Sequence, residues 1–138
     1  MSPFIEFVDI DSGFHLSDEN SYKLWLQEVS SLEESSISRL VYHFCSDDHL
    51  LKINKQFLNQ DDYTDIISFP YSYDPIEAEI FISIDRVKDN AEIVNKSFDE
   101  ELCRVLVHGL LHMCGYDDKD EEDKNKMRTA EDKYILYK

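Results

Sequence analysis

The stretch from Ser97 to Cys114 constrains the fold more than any other. Ser97-Phe98-Asp99-Glu100 has the form of a capping box, Ser97 at the N-cap and Glu100 at N3. Phe98, Leu102, Leu106, Leu110 and Met113 recur behind it at helical spacing and give the helix an apolar face. Around this helix, residues 4–10, 37–45, 65–71 and 78–84 are β-branched, aromatic or alternating runs suited to strands. Further helices are expected from a cap at Ser17 or Asp18 to about Leu32, with Leu24, Trp25 and Val29 among its apolar residues, and from Ser46-Asp47-Asp48 to about Leu58. Two more run from a cap at Asp85 to about Lys96, and from Asp120 to about Tyr137 with Met127, Tyr134 and Ile135 inward. Residues 59–64 read as a polar loop. Residues 72–77, with Pro75, read as a short link that makes the third and fourth strands an antiparallel pair. Pro70 suits an edge strand or a strand end. The order β-α-β-α-β-β-α-α-α predicts one compact α/β (α+β) domain over residues 1–138, with a mixed four-stranded sheet and about five helices.

The end of the long helix carries the chemistry. His108 and His112 are four apart in H-G-L-L-H-M-C-G-Y-D-D. On a helix they differ by roughly 40° in azimuth and about 6 Å along the axis, so both imidazoles can face one ion. Gly115 stands where a left-handed residue would end the helix, and the returning chain presents Asp118 as a third ligand. Two imidazoles and one carboxylate leave a fourth tetrahedral position open, the layout of a catalytic zinc site. Many helices carry a His-x3-His pair as solvated or core histidines. The added Gly115 and Asp118 separate this one from them. The spacing also matches the ligand pattern of metzincin proteases, but those enzymes have a glutamate base where this chain has Gly109. Cys114 falls about 160° from the mean direction of the histidines and reads as a packing thiol. His43, in a strand run, reads as a packing or surface residue.

No apolar run approaches the length of a bilayer span, and the N-terminus lacks the basic region of a signal peptide. Cys45, Cys103 and Cys114 are odd in number with no paired spacing, as expected of free thiols in a reducing cytoplasm. The net charge of −16 argues against a generic nucleic-acid binder, which should be basic. A bound cation would supply local positive charge whatever the global sum, and the acidic residues cluster in the first third and at 117–123.

The His108–Asp118 segment resembles H-G-x-L-H-L-x-G-Y-D-H, the signature of the YbeY family of metal-dependent endoribonucleases. It differs at Asp118, where the family usually has a third histidine. The segment Asn54–Pro70 resembles the family's second motif, N-x-x-Y-R-x-x-D-x-x-T-D-V-L-S-F-P, through Asn54, Asp61, Thr64, Asp65, Ser68, Phe69 and Pro70. Its arginine falls on Leu58, and the family's Gly-Asp on the next strand appears as Ala78-Glu79. The resemblance implies a single-strand-specific endoribonuclease of rRNA maturation and ribosome quality control. It would be cytoplasmic, with ribosomal RNA and the ribosome or its small subunit and associated proteins as partners, and with neither DNA nor membrane. It implies one Zn2+ per chain, or nickel or another divalent metal, on His108, His112 and Asp118, and a substrate groove at Thr64, Asp65 and Ser68. Neither Asp117 nor Glu131 is singled out as the general base. The alternatives are a non-catalytic ribosome-assembly factor, to which Leu58, Asp118 and the acidity point, and a metzincin-like protease with Met127 beneath the metal.

Overall fold

The computed structural model describes residues 3–60 and 63–138; Asp61 of the second motif lies outside them. The elements are β1 (Phe4–Asp9), α1 (Glu19–Leu32), β2 (Ile37–Cys45), α2 (Asp47–Leu58), β3 (Ile66–Tyr73), β4 (Ile76–Ser83), α3 (Ile84–Ile93), α4 (Phe98–Met113) and α5 (Glu121–Ile135). The sheet order is β1-β2-β4-β3. β1 and β4 run parallel to β2, and β3 runs antiparallel to β4, so the sheet is mixed as expected. Pro70 sits on edge strand β3, beside the register shift between Pro70 and Ser72, where a missing N–H costs no inner ladder bond.

Strand alternation separates the two faces of the sheet. Ile76, Ala78, Ile80 and Ile82 of β4 join Leu40, Tyr42 and Phe44 of β2 in the main core, with apolar residues of α1, α3, α4 and α5. On the opposite face α2 lays Leu50 and Ile53 over Cys45 and Ile67, bordered by Phe69 and Phe81. His43 lies on that second face, stacked on Phe81 with Nε2 3.0 Å from Glu79, a packing role as expected. Among the described residues no helix is long and apolar enough to cross a membrane.

Local chemistry moved several boundaries. The link at 72–77 is shorter than expected: β3 and β4 extend to Tyr73 and from Ile76, leaving Asp74 and Pro75 with a cis peptide between them. Asp18 takes a left-handed conformation (φ 55°) and makes no side-chain cap bond, since a capping residue needs extended backbone. Ser83, not Asp85, caps α3, its hydroxyl accepting from Arg86 N at 3.1 Å. The Asp85 carboxylate instead accepts from Asp47 N at 2.9 Å, across to the start of α2. Leu24 points to solvent.

α4 approaches the sheet closely at Gly109. A Cβ there would lie 2.9 Å from Ile80 Cδ1 and 3.2 Å from Ile66 Cδ1. Gly109 thus faces the core, and a glutamate at this position would aim at Ile80 rather than at the ends of the histidines. Ala at this position meets only mobile methyl ends and gains helix propensity, so Gly109→Ala should be nearly neutral. Gly109→Leu should lose about 1–3 kcal/mol by overpacking, read from urea unfolding.

Asp47 joins α2 to the β4–α3 junction: its Oδ2 takes Arg86 Nη2 at 2.7 Å and its Oδ1 takes the Ser83 hydroxyl at 2.6 Å. The Arg86 guanidinium, opposed by burial and helped by Ser83, holds the Asp47 carboxyl below the usual carboxylate range. A folded-state pKa below the unfolded one contributes stability above the unfolded value, lost as pH falls through the folded one. Asp47→Asn should therefore cost about 1–2 kcal/mol at neutral pH, allowing for the partial exposure of Arg86. The gap from wild type should close on acidification below about pH 4, followed by thermal denaturation across pH.

Candidate metal centre

From Glu101 to Met113, α4 is buried on every side but one. The residues left part-exposed are Arg104, His108 and His112, at i, i+4 and i+8, and they form a single polar stripe. Burying Leu102, Leu106 and Leu110 is worth about 1.5–3 kcal/mol each, so the apolar face sets the rotation of the helix and leaves the stripe facing α5 and the open end. The helix ends in a Schellman motif. Tyr116 N donates to Leu111 O at 3.0 Å and Gly115 N to His112 O at 3.2 Å. Gly115 has φ 106°, the left-handed region expected of it, and a Cβ there would meet nothing, so the requirement is backbone conformation.

That turn also orients a histidine. It places the Tyr116 carbonyl 3.0 Å from His112 Nδ1. A carbonyl only accepts, so Nδ1 carries the proton and Nε2 keeps its lone pair. His108 Nδ1 lies 2.6 Å from the Glu131 carboxylate, which in the same way makes Nδ1 the donor. The two Nε2 atoms then meet at 3.0 Å with the rings edge to face. Neutral rings would point two lone pairs into one space, which only a proton or a cation can reconcile. Burial opposes charging His108, but Glu131 on its Nδ1, with Asp65 and Asp118 nearby, outweighs it and holds the ring above the usual imidazole pKa.

The loop beyond Gly115 brings Asp118 to the same place, its Oδ2 3.6 Å from His112 Nε2. One ligand atom from each of His108, His112 and Asp118 falls within a 4.8 Å span. Tetrahedral zinc with bonds of about 2.0–2.2 Å separates its ligand atoms by roughly 3.3–3.5 Å. The 3.0 and 3.6 Å separations bracket that value, and the exposed Asp118 side chain is free to adjust. The donor set therefore fits a borderline-soft divalent cation.

The histidine–carboxylate cluster opens on a cleft of about 290 Å³ lined by Asp65, Arg104, His108, Asp118, Met127 and Glu131 among others. Of the three expected groove residues only Asp65 lines it. Thr64 and Ser68 line a separate cavity with Asn54 and Leu58, because successive residues entering β3 point to opposite sides. Burial raises the Asp65 carboxyl above the usual range, while its own and the Ile66 N–H and the nearby His108 oppose this. Asp117 is half-buried, accepting from Asp118 N at 2.9 Å. The α5 cap is Asp120. Cys114 stands outside the ligand cluster. Burial pushes its thiol up to about 11, against Ser35 and with Glu33, which suits packing rather than ligation. Sequence reasoning missed Arg104, although its four-residue offset from His108 was a usable signal. It treated Glu131 as a weak candidate base, whereas that carboxylate is engaged by both His108 and Arg104, the latter at 2.8 Å.

An α/β domain in which a helix end and the following loop present two imidazoles and a carboxylate around an open position has the layout of a hydrolytic metal site. A family profile described as Endoribonuclease YbeY matches residues 9–137. The Endoribonuclease YbeY of Flavobacterium johnsoniae is 47% identical over 126 residues, covering 91% of this chain and 91% of its own. That of Cytophaga hutchinsonii is 47% identical over 130 residues, covering 93% and 91%. The solution structure of TM1509 from Thermotoga maritima matches with a TM-score of 0.71 at 28% identity, over 96% of this chain and 87% of that one. The chain belongs to the endoribonuclease YbeY family.

Glu131 accepts from Arg104 and His108 while almost fully buried, so truncation leaves both donors facing a void. Glu131→Ala should lose about 2–4 kcal/mol, the buried-pair cost discounted for the partial exposure of Arg104 and His108. Urea titration would register the loss.

Proposed function

We propose that this protein is a metal-dependent endoribonuclease that cuts single-stranded RNA during ribosomal RNA maturation and ribosome quality control. It would hold one Zn2+ on His108, His112 and Asp118, with nickel or another divalent ion as a chemical substitute. The observation that carries this reading is the convergence of the two Nε2 atoms at 3.0 Å, each the acceptor nitrogen of its neutral ring because Nδ1 is held as the donor on the far side, with Asp118 beside them. Family membership supplies the reaction class: the matched relatives carry the name Endoribonuclease YbeY.

A divalent ion there supplies a Lewis acid and an acidified water near neutral pH. The remaining work falls to the chain. Glu131 and the Tyr116 carbonyl hold the two Nδ1 protons and so keep both Nε2 lone pairs turned inward. Glu131 cannot also serve as base while Arg104 and His108 occupy its oxygens. Asp65 and Glu101 are the cleft carboxylates that neither belong to the ligand cluster nor pair with a cation among the described residues, and burial raises the proton affinity of both; of the two, Asp65 is the one near enough to His108 for its charge to act on that ring. It is the group suited to accept a proton from the attacking water at its carboxylate oxygen. Met127, buried under the cleft, excludes solvent from its floor. The partners are ribosomal RNA and the ribosome, its small subunit in particular, in the cytoplasm.

Protein purified without chelator should carry about one divalent ion per chain by elemental analysis and should cut unstructured RNA. His108→Ala and His112→Ala should each lower metal content severely and cleavage by 100-fold or more. Unchanged metal content and cleavage in both would overturn the reading. Cleavage lost while a double histidine variant still restored ribosome assembly in a deletion strain would favour an assembly role over catalysis.

A further inference from the structure

We infer that Lys124 and Arg128 on α5 are the phosphate-binding residues that seat the RNA strand beside the metal ligands; this rests on the proposed nuclease function. Both side chains line the cleft that holds His108, Asp118 and Asp65. They are four residues apart on one helix, so their heads follow each other along the groove about 6 Å apart on the axis. That is the scale of consecutive phosphates on an extended strand.

Among the described residues other basic side chains, such as Lys52 and Lys88, are also unpaired, but Lys124 and Arg128 are the unpaired ones that line this cleft. The chain has 30 acidic residues against 14 basic ones, so carboxylates are plentiful. Arg104 is engaged by Glu131 and Asp132, Arg86 by Asp47, and Lys126 by Glu122. Among the described residues Lys124 and Arg128 have neither an ion pair nor a side-chain hydrogen bond, and both are exposed. As like charges at i and i+4 they slightly destabilise the helix that carries them. The arrangement is mildly unfavourable in the free protein and becomes favourable when an anion bridges the two heads. Arg128 can take a phosphate in two-point contact, and Lys124 acts as a point charge. Arg128 also lines the adjoining groove with Lys96, beside the carboxylates of Glu101, Glu131 and Asp132.

The test compares Lys124→Ala/Arg128→Ala with Lys126→Ala/Lys133→Ala, which makes the same charge change on the other side of α5. Metal content is measured first and should match wild type in both. Binding of a labelled unstructured oligoribonucleotide is then followed over salt, with chelator-treated protein so that cleavage does not consume the probe. KM and kcat are measured on metal-loaded protein. For the cleft pair, the slope of log affinity against log salt should fall by about 1.4, two contacts at about 0.7 each. KM should rise about tenfold or more with kcat within about twofold. The control pair should keep the wild-type slope, and Lys124→Arg/Arg128→Lys should restore it. A cleft double variant with wild-type slope and KM, or a control pair that loses as much, overturns this inference while the nuclease reading stands. Wild-type protein that neither binds nor cuts RNA overturns both.

Discussion

Glu131 puts a charge almost wholly out of water, with one oxygen on Arg104 and the other on His108. A carboxylate in that position is tolerable only because both oxygens are met by donors. The bond to Arg104 fastens α5 to α4, and the bond to His108 fixes the tautomer that faces the candidate ligand cluster. Fold and site therefore share one group. Whatever displaces α5 also turns the His108 ring, and it carries Lys124 and Arg128 away from the cleft they line. The apolar seam between the helices, Met127, Ala130 and Tyr134 against α4, holds that geometry in place.

Most of the fold was legible because its signals are local. The capping box at Ser97 and Glu100 is present with both of its hydrogen bonds. The strand runs at 37–45 and 78–84 alternate or branch enough to declare themselves, and β2 and β4 fall there within two residues. Misplaced details arose where two local candidates competed. Ser83 and Asp85 both suit the start of α3. The choice was made by Asp47, which arrives from another part of the chain and takes the Asp85 carboxylate for its own N–H. The insertion of β4 between β2 and β3 had no local signal, because parallel pairing is set by which faces the helices cover.

The candidate site divides in the same way. His108, His112, Gly115 and Asp118 lie within eleven residues, so helix geometry and one glycine turn relate them without any tertiary knowledge. Glu131 and Asp65 reach the cluster from 23 and 43 residues away from His108 in sequence, through α5 packing and through the close approach of β3 at Gly109. Glu131 had no distinguishing neighbours in sequence, whereas Asp65 was marked by the motif it belongs to. The resemblance placed Thr64, Asp65 and Ser68 in one groove. Strand alternation separates them and leaves Leu58 in the second cavity with Thr64 and Ser68, away from the ligand cluster.

The acidity that argued against a nucleic-acid partner has a consequence once the charge is located. With a net −16, most of the surface repels RNA, and screening confines that repulsion to about 10 Å at moderate salt. The cleft, with Lys124 and Arg128 unpaired and a site suited to a divalent ion, offers local attraction, and its reach is equally short. Under the proposed function such a molecule gains little from non-specific contact along an RNA chain, unlike a basic nuclease that slides on phosphate charge. It would depend on single-stranded segments held in place by something else, so that a strand already presented at close range enters the cleft. An rRNA end displayed on a ribosomal particle meets that requirement, and the same acidity would keep the enzyme off RNA that is not so displayed.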